Sequence, residues 1–126
     1  MFCNSGFNQD ISNWNVSDVS NIGTMFQNNS VFNQPLNWEA PNSINFGAMF
    51  YGATNFNRDI SGFIKTISYD VIFDYWKNEG HDDAGKGIQN MFINSVLDSS
   101  NKQIFYDILY ANGFNDPDLS NAGLSG

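Results

Sequence analysis

The pair Met-Phe occurs at residues 1–2, 25–26 and 49–50, a constant step of 24 residues. No other feature restricts the possible folds as much. A second block follows each pair: Phe7-Asn8-Gln9-Asp10-Ile11, then Phe32-Asn33-Gln34-Pro35-Leu36, then Phe56-Asn57-Arg58-Asp59-Ile60. A third position carries Trp14, Trp38 and Phe63. Landmarks that align this way define a unit of 24 to 25 residues. Such a unit is too short to enclose its own apolar side and must stack on its neighbours to bury it.

The expected architecture is an α/β repeat solenoid, leucine-rich-repeat-like, with a narrow parallel sheet of short strands and a C-terminal helical cap. The strands are placed at residues 8–11, 33–36 and 57–60, which would set a rise of about 4.8 Å per coil. Phe7, Phe32 and Phe56 should stack inside, as should Ile11, Leu36 and Ile60. Trp14 and Trp38 could stack on a sugar or partner if exposed, but at a repeated position they are read as core. Residues 20–27 and 43–51 read as short helical turns with one apolar face, because Ile22, Met25 and Phe26 are spaced i, i+3, i+4. Asparagine is unusually dense, with thirteen in the first sixty residues. It tolerates left-handed backbone and bonds neighbouring main chain, so the chain should turn often. Asn8, Asn33 and Asn57 are expected to bond from coil to coil, or to satisfy the turn backbone, as a structural ladder.

The run Phe7-Asn8-Gln9-Asp10-Ile11-Ser12-Asn13-Trp14, followed by Asn15-Val16-Ser17-Asp18-Val19-Ser20-Asn21-Ile22, resembles the repeat of the BspA-like leucine-rich-repeat surface proteins. The likeness covers residues 1–63, weakens at Pro41, and is absent beyond Phe63. It implies a right-handed solenoid used for adhesion or protein binding on cell surfaces, with similar repeats in structural proteins of large viruses and phages. It carries over no catalytic residue.

Residues 1–63 are thus read as three repeats, and 64–126 as a helical cap or docking region with a polar tail. In that second part, apolar spacing predicts a helix over 67–79. Two more are placed at 88–97 and at 101–112, the last with Ser100 as N-cap and Gly113 as the C-terminal stop. The segment 80–87 reads as a loop. Because Met1-Phe2 already lies in register, the upper face of the first coil has no cap of its own. The chain is therefore expected to be a fragment of a longer array or to dock that face on another subunit.

The net charge is −8, and no basic residue precedes Arg58. That balance disfavours nucleic acid and anionic membrane surfaces as partners, since both are held through Lys and Arg. No apolar run is long enough to cross a membrane, and no signal peptide is visible. Cys3 is the single cysteine; it is read as a small buried residue without a disulfide or zinc partner. His81-Asp82-Asp83 reads as a solvated loop, and the Asn115–Ser120 stretch lacks the Gly and Glu of a calcium loop. No catalytic residue, metal or cofactor is assigned. The chain is read as a non-enzymatic adhesion or interaction module, located at a cell surface or on a virion, that binds a protein or glycan. The alternative is a structural subunit of a virus or phage assembly, held by neighbouring subunits at its ends. Candidate binding residues are the variable positions flanking the repeated pattern: Gln9, Asp10, Gln34, Pro35, Arg58 and Asp59.

Overall fold

From Phe2 to Ile60 the chain winds in coils that follow the sequence period, and it does so without a strand. The computed structural model describes residues 2–81 and 84–124. Among them the regular elements are α1 (Ser61–Ile64), α2 (Tyr69–Asn78), a 3-10 turn (Ala84–Ile88), α3 (Ser99–Asn112) and α4 (Asp116–Asn121). The expected leucine-rich-repeat-like solenoid with its narrow parallel sheet is therefore corrected. No strand forms at 8–11, 33–36 or 57–60, and the single β contact among the described residues is an isolated parallel bridge between Asn21 and Asn45.

Two physical causes remove the strands. At the Phe-Asn blocks a side chain takes the place of the main-chain acceptor: Asn8 Oδ1 accepts the N–H of Asn33 at 3.0 Å, and Asn33 Oδ1 that of Asn57 at 3.0 Å. A short carboxamide competing for backbone N–H groups is the usual reason asparagine is poor in sheets. At the Met-Phe segments the coils do exchange backbone bonds. Ile22, Thr24, Phe26 and Asn28 donate to the carbonyls of Asn45, Gly47, Met49 and Tyr51 at 2.7–2.9 Å. Left-handed residues interrupt any extended run there, with φ of 61° at Thr24, 58° at Asn28, 54° at Ala48 and 67° at Gly52. The same values exclude the helical turns expected over 20–27 and 43–51.

What the repeat does build is a double column of rings. Phe2, Phe26, Phe50 and Phe92 follow one another with centroids 5.7, 5.5 and 5.5 Å apart. Phe7, Phe32 and Phe56 form the second column, at 6.3 and 6.0 Å. Within each coil the columns touch, at 3.8, 4.0 and 4.3 Å. The rings of Phe26, Phe32, Phe50 and Phe56 are fully enclosed, and Ile11, Leu36 and Ile60 are buried beside them. Burying one such ring contributes roughly 1.5–3 kcal/mol, so the column is the main source of cohesion. Asn29 is the buried polar group of this region. Its Oδ1 accepts from Val31 and Phe32 and its Nδ2 donates to the carbonyl of Phe7, so its carboxamide is well satisfied.

A fourth coil lies beyond α2. Met91-Phe92 stands 42 residues after Met49-Phe50, yet Phe46, Ala48, Phe50 and Gly52 donate to Gly87, Gln89, Met91 and Ile93 as in the coils before. Asn90 and Asn94 take the left-handed positions, with φ of 62° and 59°. That rules out the helix expected over 88–97. Helix α2 is thus an excursion from the coil path, close to the expected 67–79, and Ser68 caps it by accepting the N–H of Val71. The indole N–H of Trp76 on α2 donates to the carbonyl of Ile44 at 2.8 Å and ties the excursion to the third coil.

The helices after the fourth coil pack on its far side. Helix α3 begins at Ser99, two residues before the expected start, with Asp98 and not Ser100 as N-cap, its carboxylate accepting from Asn101 at 2.8 Å. It stops at Gly113, where φ is 125° and an added Cβ would meet the Tyr69 ring at 2.9 Å. Phe105 on α3 continues the first ring column, 5.5 Å from Phe92. The polar tail folds as α4, closed by a reciprocal capping box between Asn115 and Asp118. Asn90 and Phe92 then donate to the carbonyls of Asn121 and Ala122.

Candidate functional site

The six candidate residues from the variable positions lie along one coil edge, and most of their polar groups are spent inside the fold. Gln34 Nε2 donates to Asn8 Oδ1 at 3.0 Å, and Arg58 Nε donates to the carbonyl of Asn33 at 3.0 Å. Each braces its own coil against the preceding one. Asp10 Oδ1 accepts the N–H of Ser12, and Asp59 Oδ1 that of Ser61, both at 2.9 Å. Those bonds, helped by the serine hydroxyls, hold both carboxyls below their ordinary range. Pro35 takes the place of the aspartate in the second coil and is half-buried. Gln9 is exposed, with no coil-to-coil bond among the described residues. The asparagine ladder along this edge runs on into the fourth coil, where Asn57 Oδ1 accepts the N–H of Asp98 at 3.1 Å.

The feature with the shape of a binding site is elsewhere. Trp14, Val16, Val19, Ile22, Met25 and Trp38 line an open, mainly apolar cleft of about 470 Å³ between the first and second coils. Trp14 and Trp38 occupy the same repeat position, yet Trp38 is 2% exposed and Trp14 44%. The Trp38 indole donates to the carbonyl of Ile11 one coil back at 2.9 Å; that of Trp14 has no partner among the described residues. Val19 is also exposed. One coil pair further on, the corresponding place is filled from within the chain. Phe46 packs 6.0 Å from Phe63, and α2 leans on the coil through Trp76.

Asn21 and Gly23 border the same cleft. Their counterparts Asn45 and Gly47 each accept a backbone N–H from the preceding coil, from Ile22 and Thr24 at 2.9 Å. Among the described residues no N–H reaches the carbonyl of Asn21 or Gly23. The cleft therefore has an apolar floor, beside which two main-chain carbonyls meet no N–H of the described residues. An extended peptide recognises such a site by adding backbone bonds along an edge while side-chain pockets choose its sequence.

The repeat register places Trp14 in the core, where the structure does not, and the sequence pattern leaves Val16 and Val19 unmarked. The usable signal is local. Val16 and Val19 have Ala40 and Ser43 at the matching places of the next repeat, so the first unit carries more apolar surface than the second. Of the remaining motifs, His81 packs its ring edge-on against Trp76, while Asp82 and Asp83 lie outside the described residues. The calcium-like Asn115–Ser120 stretch is the capping box of α4. Cys3 is a free, half-buried thiol, more open than the buried position expected for it. Among the described residues no group of three or more His, Cys, Asp or Glu is placed to hold a metal ion, and no helix is long and apolar enough to cross a membrane.

A family model described as Mycoplasma protein of unknown function, DUF285, matches residues 1–79, which hold the first three coils and α2. No curated protein and no solved structure matches the chain.

Proposed function

The chain belongs to that DUF285 family, and from this premise we propose that it is a non-enzymatic interaction module of the BspA-like surface-repeat type, binding a partner through the cleft beside Trp14. The observation that carries the reading is the cleft itself. Six apolar side chains surround about 470 Å³ of open space next to a ring column whose inner members, Phe26, Phe32, Phe50 and Phe56, are fully enclosed. A pre-formed concave apolar site with a few polar groups at fixed places is the usual form of a recognition site. Support also comes from the association of the family with BspA-like surface repeat proteins. The exposed indole of Trp14 offers a large contact area at little cost in conformational entropy, which suits protein and carbohydrate partners alike.

The reading is tested by presenting the purified chain with a random-heptapeptide display library and with a glycan array. Ligands should be enriched that lose at least tenfold in affinity on Trp14→Ala, because truncating a central aromatic anchor typically costs about 2 kcal/mol or more. Retention of no ligand above background on either array would overturn it.

A further inference from the structure

We infer that Asn15 is the acceptor of an N-linked glycan, transferred from a lipid diphosphate-linked sugar. Two stretches of the chain have the order asparagine, any residue but proline, serine: Asn15-Val16-Ser17 and Asn28-Asn29-Ser30. That order marks a glycan acceptor in an exposed loop, but an asparagine-rich repeat also produces it by chance. Local geometry separates the two. At the first, Asn15 Oδ1 accepts the N–H of Ser17 at 3.0 Å and its hydroxyl at 2.7 Å. The serine of the pattern is therefore already bonded to the carboxamide that would react. Val16 between them is buried and anchors the turn, while Asn15 is exposed. That exposure belongs to the position in the repeat, because Glu39 stands there one repeat later, with a coil on either side of its own, and is exposed as well.

The second stretch is built differently. Asn28 has a φ of 58°, its Oδ1 is turned onto Gly52, and no bond joins it to Ser30 among the described residues. Its middle residue, Asn29, is buried and holds three backbone groups through its carboxamide. An enzyme could not draw this stretch into its own cleft without unfolding the coil. At Asn15 the chemistry follows from the two donors on one oxygen. A carboxamide nitrogen is a poor nucleophile because its lone pair is shared with the carbonyl. Hydrogen bonds to Oδ1 stabilise the negative charge that gathers there as Nδ2 loses a proton, so Nδ2 can yield that proton to a base of the transferase as it attacks. The bond formed joins Nδ2 to the anomeric carbon of the sugar. The bond broken joins that carbon to the diphosphate oxygen, and the lipid diphosphate leaves with the electron pair.

The test presents the whole folded chain to a single-subunit oligosaccharyltransferase that reads Asn-x-Ser/Thr, together with a polyprenyl diphosphate-linked oligosaccharide, and locates the sugar by peptide mass mapping. One glycan, on Asn15, is expected, at a rate about tenfold or more above that at Asn28, since orientation of the reacting groups contributes at least that much. Free peptides of residues 12–19 and 25–32 give the reactivity of each stretch without the fold, and the difference between them should be much smaller. Ser17→Ala should abolish the transfer and Ser17→Thr should preserve it, while Asn28→Gln leaves it unchanged. The protein isolated from its native source should carry a glycan mass on the peptide that holds Asn15. No sugar on Asn15 in either material, equal rates at the two asparagines of the folded chain, the same ratio in the free peptides as in the chain, or transfer that survives Ser17→Ala would each overturn the inference. The inference is independent of the interaction-module reading, which stands or falls on its own test.

Discussion

Phe50→Ala tests whether the ring column holds the molecule together. Phe50 is fully enclosed and touches three rings: Phe26 at 5.5 Å and 7°, Phe92 at 5.5 Å and 5°, and Phe56 at 4.3 Å and 14°. Truncating a buried phenylalanine removes its transfer energy and leaves a cavity, together about 3–5 kcal/mol. In a stack, the neighbours on either side cannot close the gap without breaking the backbone bonds of Phe50 to Met91 and of Phe26 to Met49, so the upper half of that range, about 4–5 kcal/mol, is expected. For a chain of 126 residues, 1 kcal/mol corresponds to about 4 °C in melting temperature, which puts the loss at about 16–20 °C. Phe2→Ala is the control. Phe2 is half-buried at the outer end of the same column, so its removal should cost roughly 1–2 kcal/mol, or about 4–8 °C. Thermal unfolding followed by near- and far-UV circular dichroism measures both. Equal losses for the two variants would show that the rings do not act as a continuous stack, and the column could then not be the main source of cohesion.

Asn29→Ala should cost roughly 1–3 kcal/mol in urea unfolding, because it strands the buried N–H of Phe32 and leaves the part-buried N–H of Val31 and carbonyl of Phe7 without their partner. Asn33→Ala should cost only about 0.5–1.5 kcal/mol, since water can reach the N–H of exposed Asn57. Gly52→Ala should destabilise by about 1–2 kcal/mol through its left-handed backbone and the approach of the new Cβ to Asn28 Oδ1; adding Asn28→Ala should recover part of the loss. The carboxyl of Asp59 is held below its ordinary value of 3.8 by the N–H and hydroxyl of Ser61. A group depressed in the folded state contributes stability above its unfolded value, and that contribution is lost as pH falls through the folded value. Asp59→Asn should therefore flatten the acid limb of a stability profile taken below about pH 4, while leaving stability near neutrality unchanged, because asparagine serves the same turn at Asn21 and Asn45. A steeper acid limb in the variant would contradict this.

The ring columns could be read from the chain because a 24-residue recurrence of Met-Phe leaves few ways to bury twelve phenylalanines. The strands could not, because the same asparagines that announced regular turning also supply the acceptors a sheet would have used. Asn8 and Asn33 bond the next coil through side chains, and sequence alone does not tell a carboxamide ladder from a backbone one. The fourth coil was hidden by its spacing. Met91-Phe92 is plain to see, but α2 separates it from Met49-Phe50, and a periodicity sought at a fixed step passes over it. The helix expected at 88–97 shows the weakness of apolar spacing when two residues, Asn90 and Asn94, take left-handed backbone. Of the candidate binding residues, none revealed its bonding in advance, since a glutamine or arginine at a variable position looks the same whether it faces a partner or braces its own fold. The cleft left one trace in the sequence, Val16 and Val19 standing where the next repeat has Ala40 and Ser43, and a search for what the repeats share passes over such a difference.

From Ile22 to Asn28, and again from Phe46 to Gly52, the backbone bonds between coils run one way, each coil donating its N–H groups to the coil that follows. A stack built this way has a polarity, like a chain of dipoles. A coil inserted upside down would face the carbonyls of Asn45, Gly47, Met49 and Tyr51 with carbonyls of its own, so the backbone itself fixes which way up each coil is laid on the next.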